Sequence, residues 1–83
     1  MHYVYIIKSI KSDFIYIGQT GDLKARFSQH NASKETATKA YAPFKLVYYE
    51  AYANKKDALI REIKLKQYGS SWGHLRKRIQ NCL

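Results

Sequence analysis

The chain opens on His2-Tyr3-Val4-Tyr5-Ile6-Ile7-Lys8, a run that is β-branched and aromatic throughout. The same character returns in Phe14-Ile15-Tyr16-Ile17-Gly18 after the polar break Lys11-Ser12-Asp13. Two such runs joined by a short polar turn predict a β-hairpin. If Lys11 and Ser12 form a two-residue turn, residue 5 pairs with 18 and 7 with 16, each pair summing to 23. Tyr3, Tyr5 and Tyr16 then share one face of the hairpin. A turn one residue longer would send Tyr16 to the opposite face.

Beyond the hairpin the apolar period changes. Leu23 and Phe27 stand four apart behind Thr20-Gly21-Asp22, any of which can cap, so a helix is predicted over 22–30. Arg26 and His30, also four apart, form a column beside Leu23 and Phe27 at the edge of the buried face. Residues 31–43 are polar, follow neither period and read as a loop. A third strand is predicted over 45–52, carried by Leu46-Val47-Tyr48-Tyr49, with Tyr48, Tyr49 and Tyr52 read as packing residues. Asn54, with Asp57 three residues on, opens a second helix over 55–68 that Gly69 ends. Ser70-Ser71 then caps a short basic helix from Trp72 to about Asn81. The predicted order is β-β-α-β-α-α: an α+β fold with a three-stranded antiparallel sheet packed against helices.

The chain has 83 residues, 46% of them hydrophobic and 14% aromatic, with four Gly and one Pro. That suits one compact domain over 1–83, large enough to fold without disulfides or structural metal, and argues against disorder. Cys82 is the only cysteine, which excludes an intrachain disulfide and a Cys-rich zinc site. The opening apolar run is too short and too aromatic for a signal peptide, and no stretch approaches a membrane span, so a cytoplasmic monomer without membrane contact is expected. Lys and Arg outnumber Asp and Glu by 15 to 6, a net charge of +9, which points to a polyanion and first to nucleic acid. The bias is uneven: residues 1–54 carry seven basic and four acidic groups, residues 55–83 eight and two.

Chemistry-bearing candidates emerge on this frame. On a helical wheel Glu62 falls between the Ala58/Leu65 and Leu59/Ile63 columns and interrupts the apolar arc of the second helix. Two readings compete: an ion pair with Lys66 at i+4, or one carboxylate reaching a hard divalent cation whose other positions are filled by water and phosphate oxygens. A tyrosine hydroxyl near pKa 10 is a poor base at neutral pH, yet a cation such as Arg26 or a metal ion beside Tyr5 or Tyr16 favours the phenolate. Arg26 and His30, each taken singly, read as a surface charge and a packed histidine.

Their joint order, Tyr5, Tyr16-Ile17-Gly18, Arg26, His30 and then Arg61-Glu62, resembles the GIY-YIG nuclease superfamily. Tyr3-Val4-Tyr5 stands where the Gly-Ile-Tyr element is expected, and Tyr16-Ile17-Gly18 is the second element as written. Residues 38–50, with Pro43 and Leu46-Val47-Tyr48-Tyr49-Glu50, also look like the small stand-alone bacterial members. The chain departs from the pattern in three places. Tyr3 replaces the first Gly, Gln19 stands where some members carry Lys, and His74 stands where larger members carry Asn.

The resemblance implies a metal-dependent endonuclease acting on DNA, branched or single-stranded, and selecting structure over sequence. It implies Glu62 as ligand to one Mg²⁺ or Mn²⁺, Arg26 on the scissile phosphate, and one of Tyr5 and Tyr16 taking a proton from water while the other positions water or phosphate. His30 would orient a tyrosine or touch the phosphate. Lys55, Lys56, Arg76, Lys77 and Arg78 are candidates for backbone phosphate contacts. Two other classes share these features: a nucleic-acid-binding module without turnover, and a subunit docking on a larger DNA-repair or nuclease partner.

Overall fold

A computed structural model describes residues 1–83. Its elements are β1 (His2–Ser9), β2 (Ile15–Thr20), α1 (Leu23–Asn31), a 3₁₀ turn (Lys39–Tyr41), β3 (Phe44–Tyr52), α2 (Lys55–Lys66) and α3 (Ser70–Arg78). The order is the expected β-β-α-β-α-α, and the three strands form one antiparallel sheet in the order β2-β1-β3. Tyr5 pairs with Gly18 and Ile7 with Tyr16, the register that sums to 23. The connection is wider than two residues: the Ser9 N–H donates to the Phe14 carbonyl, and Ile10–Asp13 form the bend.

Alternation along β1 sends side chains to two different layers. Val4 and Ile6, with Ile17 of β2, meet Ala58 and Leu65 of α2, Leu75 of α3 and Ile79. Tyr5 and Ile7, with Phe44, meet Phe14, Tyr16, Leu23 and Phe27 on the α1 side. The sheet is thus covered on both faces, and each fully buried Val, Ile or Leu contributes roughly 1.5–3 kcal/mol of transfer free energy. A bulge in the β1–β3 pairing redirects β3: Ile6 faces Tyr48 but Ile7 faces Leu46, so Val47 is skipped. Phe44 therefore packs with α1 while Tyr48 and Tyr52, equally even-numbered, pack with α2 and α3.

The starts of α1 and α2 are set by side-chain caps. Asp22 accepts from the Ala25 N–H at 3.0 Å and Asn54 from the Lys56 N–H at 2.8 Å. The molecule differs from expectation in four respects. α2 ends at Lys66, and the left-handed residue that turns the chain is Tyr68 (φ 54°), not Gly69. Gly69 instead precedes α3, which starts at Ser70, ends at Arg78 and has no side-chain cap, so neither Ser70 nor Ser71 serves as one. The Leu59/Ile63 column faces outward, because the sheet is reached by the Ala58/Leu65 stripe alone; the buried arc of α2 is narrower than the wheel implied. Residues 31–43 are not a plain loop: they contain the 3₁₀ turn and a fully buried Thr38. No helix is long and apolar enough to cross a membrane.

Candidate active site

The α1 face of the hairpin gathers three of the residues singled out by sequence. Tyr5, from the central strand, lies across Gly18 of β2, directly opposite in register. A Cβ on Gly18 would sit 2.5 Å from Tyr5 Cζ, so glycine is required there for space. The Tyr5 hydroxyl is 2.7 Å from His30 Nε2, and His30 Nδ1 is 2.8 Å from Thr38 Oγ1. All three side chains are buried. The Tyr16 ring closes the group, its centroid 5.1 Å from that of His30 and 6.4 Å from that of Tyr5.

Arg26 sits one turn before His30 on α1 and forms an ion pair with Glu35, which the 31–43 segment brings back over the helix. Glu62 lies on α2, across the sheet, with its side chain 18% exposed and paired with Lys66 at 3.3 Å. The expected i+4 pair is therefore present. The same Lys66 ammonium lies 5.3 Å from the Tyr16 ring centroid, reaching past the edge strand β2. Lys66 thus touches both groups.

Burial governs the electrostatics. Desolvation pushes the Tyr5 hydroxyl well above the usual phenol range; neighbouring Tyr16 adds to the effect, Arg26 opposes it, and the Glu35 and Glu62 charges reinforce it. The cation-lowered phenol expected from sequence is thus overridden at Tyr5. His30 is held below its ordinary value, first by burial; Glu35 opposes that and Arg26 adds to it, so the ring is neutral near pH 7. A neutral ring satisfied at both nitrogens accepts at one and donates at the other. Two tautomers satisfy the geometry: either Nδ1–H donates to Thr38 and the Tyr5 O–H donates to Nε2, or the Thr38 O–H donates to Nδ1 and Nε2–H donates to Tyr5.

None of the four cavities is lined by Tyr5, Tyr16, Arg26, His30 or Glu62. The aromatic cluster is packed, and the charges of Arg26 and Glu62 are met within the molecule. The basic candidates also separate. Lys55 and Lys56 are exposed at the start of α2, about 9–10.5 Å along the helix axis from Glu62. Arg76 and Lys77 line one cavity and Arg78 another.

Nowhere do three or more His, Cys, Asp or Glu side chains come together. That donor set does not fit a protein-caged zinc ion. One half-buried carboxylate does fit Mg²⁺ or Mn²⁺, which takes one or two carboxylates and completes its shell with water and phosphate oxygens.

Sequence reading missed Glu35 and Thr38, and it missed a second polar cluster on the opposite face. There Glu50 accepts from the Tyr48 and Tyr52 hydroxyls and, bidentately, from Arg61 Nε at 2.9 Å and Nη2 at 3.0 Å. Burial pushes the Glu50 carboxyl up, but the donors from Arg61, Tyr52 and Tyr48 outweigh it and hold it below the ordinary range. Tyr48 and Tyr52 are pushed up to about 12, first by burial and then by their bonds to that carboxylate. The spacing Tyr48-x-Glu50-x-Tyr52, which puts all three on one strand face, was the available signal. Gln19 Nε2 is buried with no partner.

Comparison with known proteins shows the family. The family model described as the GIY-YIG catalytic domain covers residues 1–78. A UPF0213 protein of Staphylococcus haemolyticus is 41% identical over 68 residues, 81% of this chain and 82% of that protein. One from Clostridium perfringens is 40% identical over the same length, covering 81% and 72%. The solution NMR structure of a UPF0213 protein from Bacillus halodurans superposes with a TM-score of 0.54 at 29% identity, covering 89% of this chain and 79% of that one. With the motif tyrosines on a paired hairpin and the family match spanning nearly the whole length, the chain belongs to the GIY-YIG family.

Proposed function

We propose that this protein is a metal-dependent endonuclease that hydrolyses DNA phosphodiester bonds, selecting the structure of the DNA rather than its sequence. The observation that carries this reading is the buried relay Tyr5–His30–Thr38, at 2.7 and 2.8 Å. A phenol raised by burial is no base by itself, but a neutral imidazole aligned on its hydroxyl can take its proton. The Tyr5 oxygen then accepts a proton from water as that water attacks phosphorus and the P–O bond to the leaving strand breaks. Thr38 holds the ring in the tautomer that leaves Nε2 free to accept. Tyr16 packs against both partners and positions the attacking water or the phosphate at the edge of the relay.

Arg26 grips the scissile phosphate. Its present partner Glu35 forms a partly exposed ion pair of the kind worth at most about 1 kcal/mol, which a phosphate presenting two oxygens can displace. Glu62 would hold one Mg²⁺ or Mn²⁺ in place of the Lys66 ammonium, and the bound ion would neutralise charge developing on the phosphate and leaving oxygen. The charge of +9 supports a nucleic-acid substrate held mainly through backbone phosphates, contacts that carry no sequence information. Supercoiled, branched and single-stranded DNA incubated with and without Mg²⁺ or Mn²⁺ tests the proposal. Nicking that EDTA abolishes is expected, and its absence on every substrate with either ion would leave a binding module on the same fold.

A further inference from the structure

A cavity of about 400 Å³ lies between α2 and α3, away from the tyrosine–histidine cluster. It is lined by Arg61, Ser71, His74, Leu75 and Arg78. Ser71, His74, Leu75 and Arg78 follow the i, i+3, i+4, i+7 spacing, one face of α3, turned toward Arg61 of α2. Leu75 is buried and forms the apolar floor. Every polar lining side chain can donate a hydrogen bond, and none is a carboxylate.

The charge balance sharpens this picture. Arg61 spends Nε and Nη2 on Glu50, whose carboxylate also receives two tyrosine hydroxyls; that acid is saturated and the Arg61–Glu50 pair is neutral overall. Nη1 of Arg61 makes no hydrogen bond, and Arg78 takes part in no ion pair. The cavity therefore keeps one uncompensated positive charge and a fixed guanidinium edge. Arg61 is held by two bonds to a half-buried partner, so its donors are already oriented before any ligand arrives. A built recess of donors with net positive charge and no acid fits a tetrahedral oxyanion.

We propose that this recess is a phosphate-binding site that seats one backbone phosphate of a nucleic-acid strand, through Arg61, Arg78, Ser71 and His74. The choice of a strand over a free anion rests on the endonuclease reading above. The site gives the protein a second contact on the strand, separate from the scissile phosphate. It also sets Arg78 apart from Arg76 and Lys77, which line a different cavity.

The test is binding read by NMR, including the arginine Nε–Hε signals. Titration with inorganic phosphate is expected to shift Arg61 and Arg78 Nε–Hε and the Ser71 and His74 amides ahead of the rest. Arg78→Ala is expected to remove those shifts, to weaken binding of a 12-base-pair duplex about tenfold, and to lower the slope of log affinity against log salt by about 0.9, one phosphate contact. Lys77→Ala, on the other side of α3, is expected to do less. Arg78 is used because Arg61→Ala would also uncover Glu50. Equal effects of Arg78→Ala and Lys77→Ala, or phosphate shifts spread evenly over all basic residues, would overturn the site. Phosphate shifts at the recess with unchanged duplex affinity in Arg78→Ala would overturn its assignment to a strand. Because the readout is binding, the catalytic reading can fail while this one stands, and the reverse.

Discussion

Gly18→Ala is a single-methyl change whose sign depends on the site. Gly18 has no left-handed backbone conformation, and it lies in the middle of β2. On backbone grounds alone, alanine would stabilise the strand by roughly 0.5–1 kcal/mol. The new Cβ would nevertheless lie 2.5 Å from Tyr5 Cζ and 2.9 Å from Cε1, and against the hydroxyl. Restoring an ordinary carbon–carbon separation of about 3.5 Å requires the ring to retreat about 1 Å. Tyr5 is buried among Ile7, Phe44 and the aromatic residues beneath α1, so that retreat means overpacking, at a cost of about 1–3 kcal/mol. It also strains the 2.7 Å bond to His30, a further loss of about 1 kcal/mol. The net expectation is a destabilisation of about 1–3 kcal/mol after the backbone gain, measured by urea unfolding at neutral pH. In a Tyr5→Leu background the clash is gone, and the same Gly18→Ala change should be neutral or stabilising. If Gly18→Ala raises the unfolding midpoint with Tyr5 present, the packing of Tyr5 over the motif glycine is wrong.

Three further outcomes are expected. Thr38→Val keeps the shape but removes the hydroxyl that orients His30, so cleavage should fall by about 10²-fold or more and Thr38→Ser should restore it, in single-turnover assays; a Val variant at the parent rate would remove Thr38 from the relay. Thermal stability should respond to pH in two steps. His30 has a folded pKa below 6.5, so the unfolded chain binds that proton first and stability declines as pH falls from 6.5; Glu50, held below 4.5, adds a second decline under that pH. A melting temperature that stays flat from pH 7 to 5 would contradict the buried neutral imidazole. Gln19→Leu removes a buried donor without a partner and should raise stability by about 1 kcal/mol in chemical unfolding, whereas a fall would mean that the amide has a partner after all.

The parts of the fold that were legible in the sequence are those fixed by local rules. Strand positions and hairpin register follow from β-branched and aromatic runs on either side of one polar break, and the starts of α1 and α2 follow from Asp22 and Asn54. The end of α2 is less legible: Gly69 reads as the helix stop, but α2 ends at Lys66, Tyr68 takes the left-handed conformation and Gly69 leads into α3. Part of the tertiary placement escaped. Glu35 and Thr38 lie in a segment without period, and their meeting with Arg26 and His30 depends on that segment folding back over α1. The bulge at Val47 sends Phe44 and Leu46 to the α1 face, while Tyr48, Glu50 and Tyr52, beyond it, face Arg61 across the α2 layer. Exposure of Leu59 and Ile63 was equally hidden, because a helical wheel shows which residues share a face but not how wide a stripe its neighbour covers.

The most direct test of the central claim is cleavage by Glu62→Gln. Glutamine is nearly isosteric and can keep a neutral hydrogen bond at the half-buried position, so the variant should fold comparably to the parent. Supercoiled DNA in saturating Mg²⁺ should be nicked by the parent and by Lys66→Met, and left intact by Glu62→Gln. A purely structural Glu62–Lys66 pair gives the opposite pattern: both variants melt slightly lower and both cut. Cleavage by purified, folded Glu62→Gln at the parent rate would contradict the metal assignment and, with it, the endonuclease mechanism proposed for this chain.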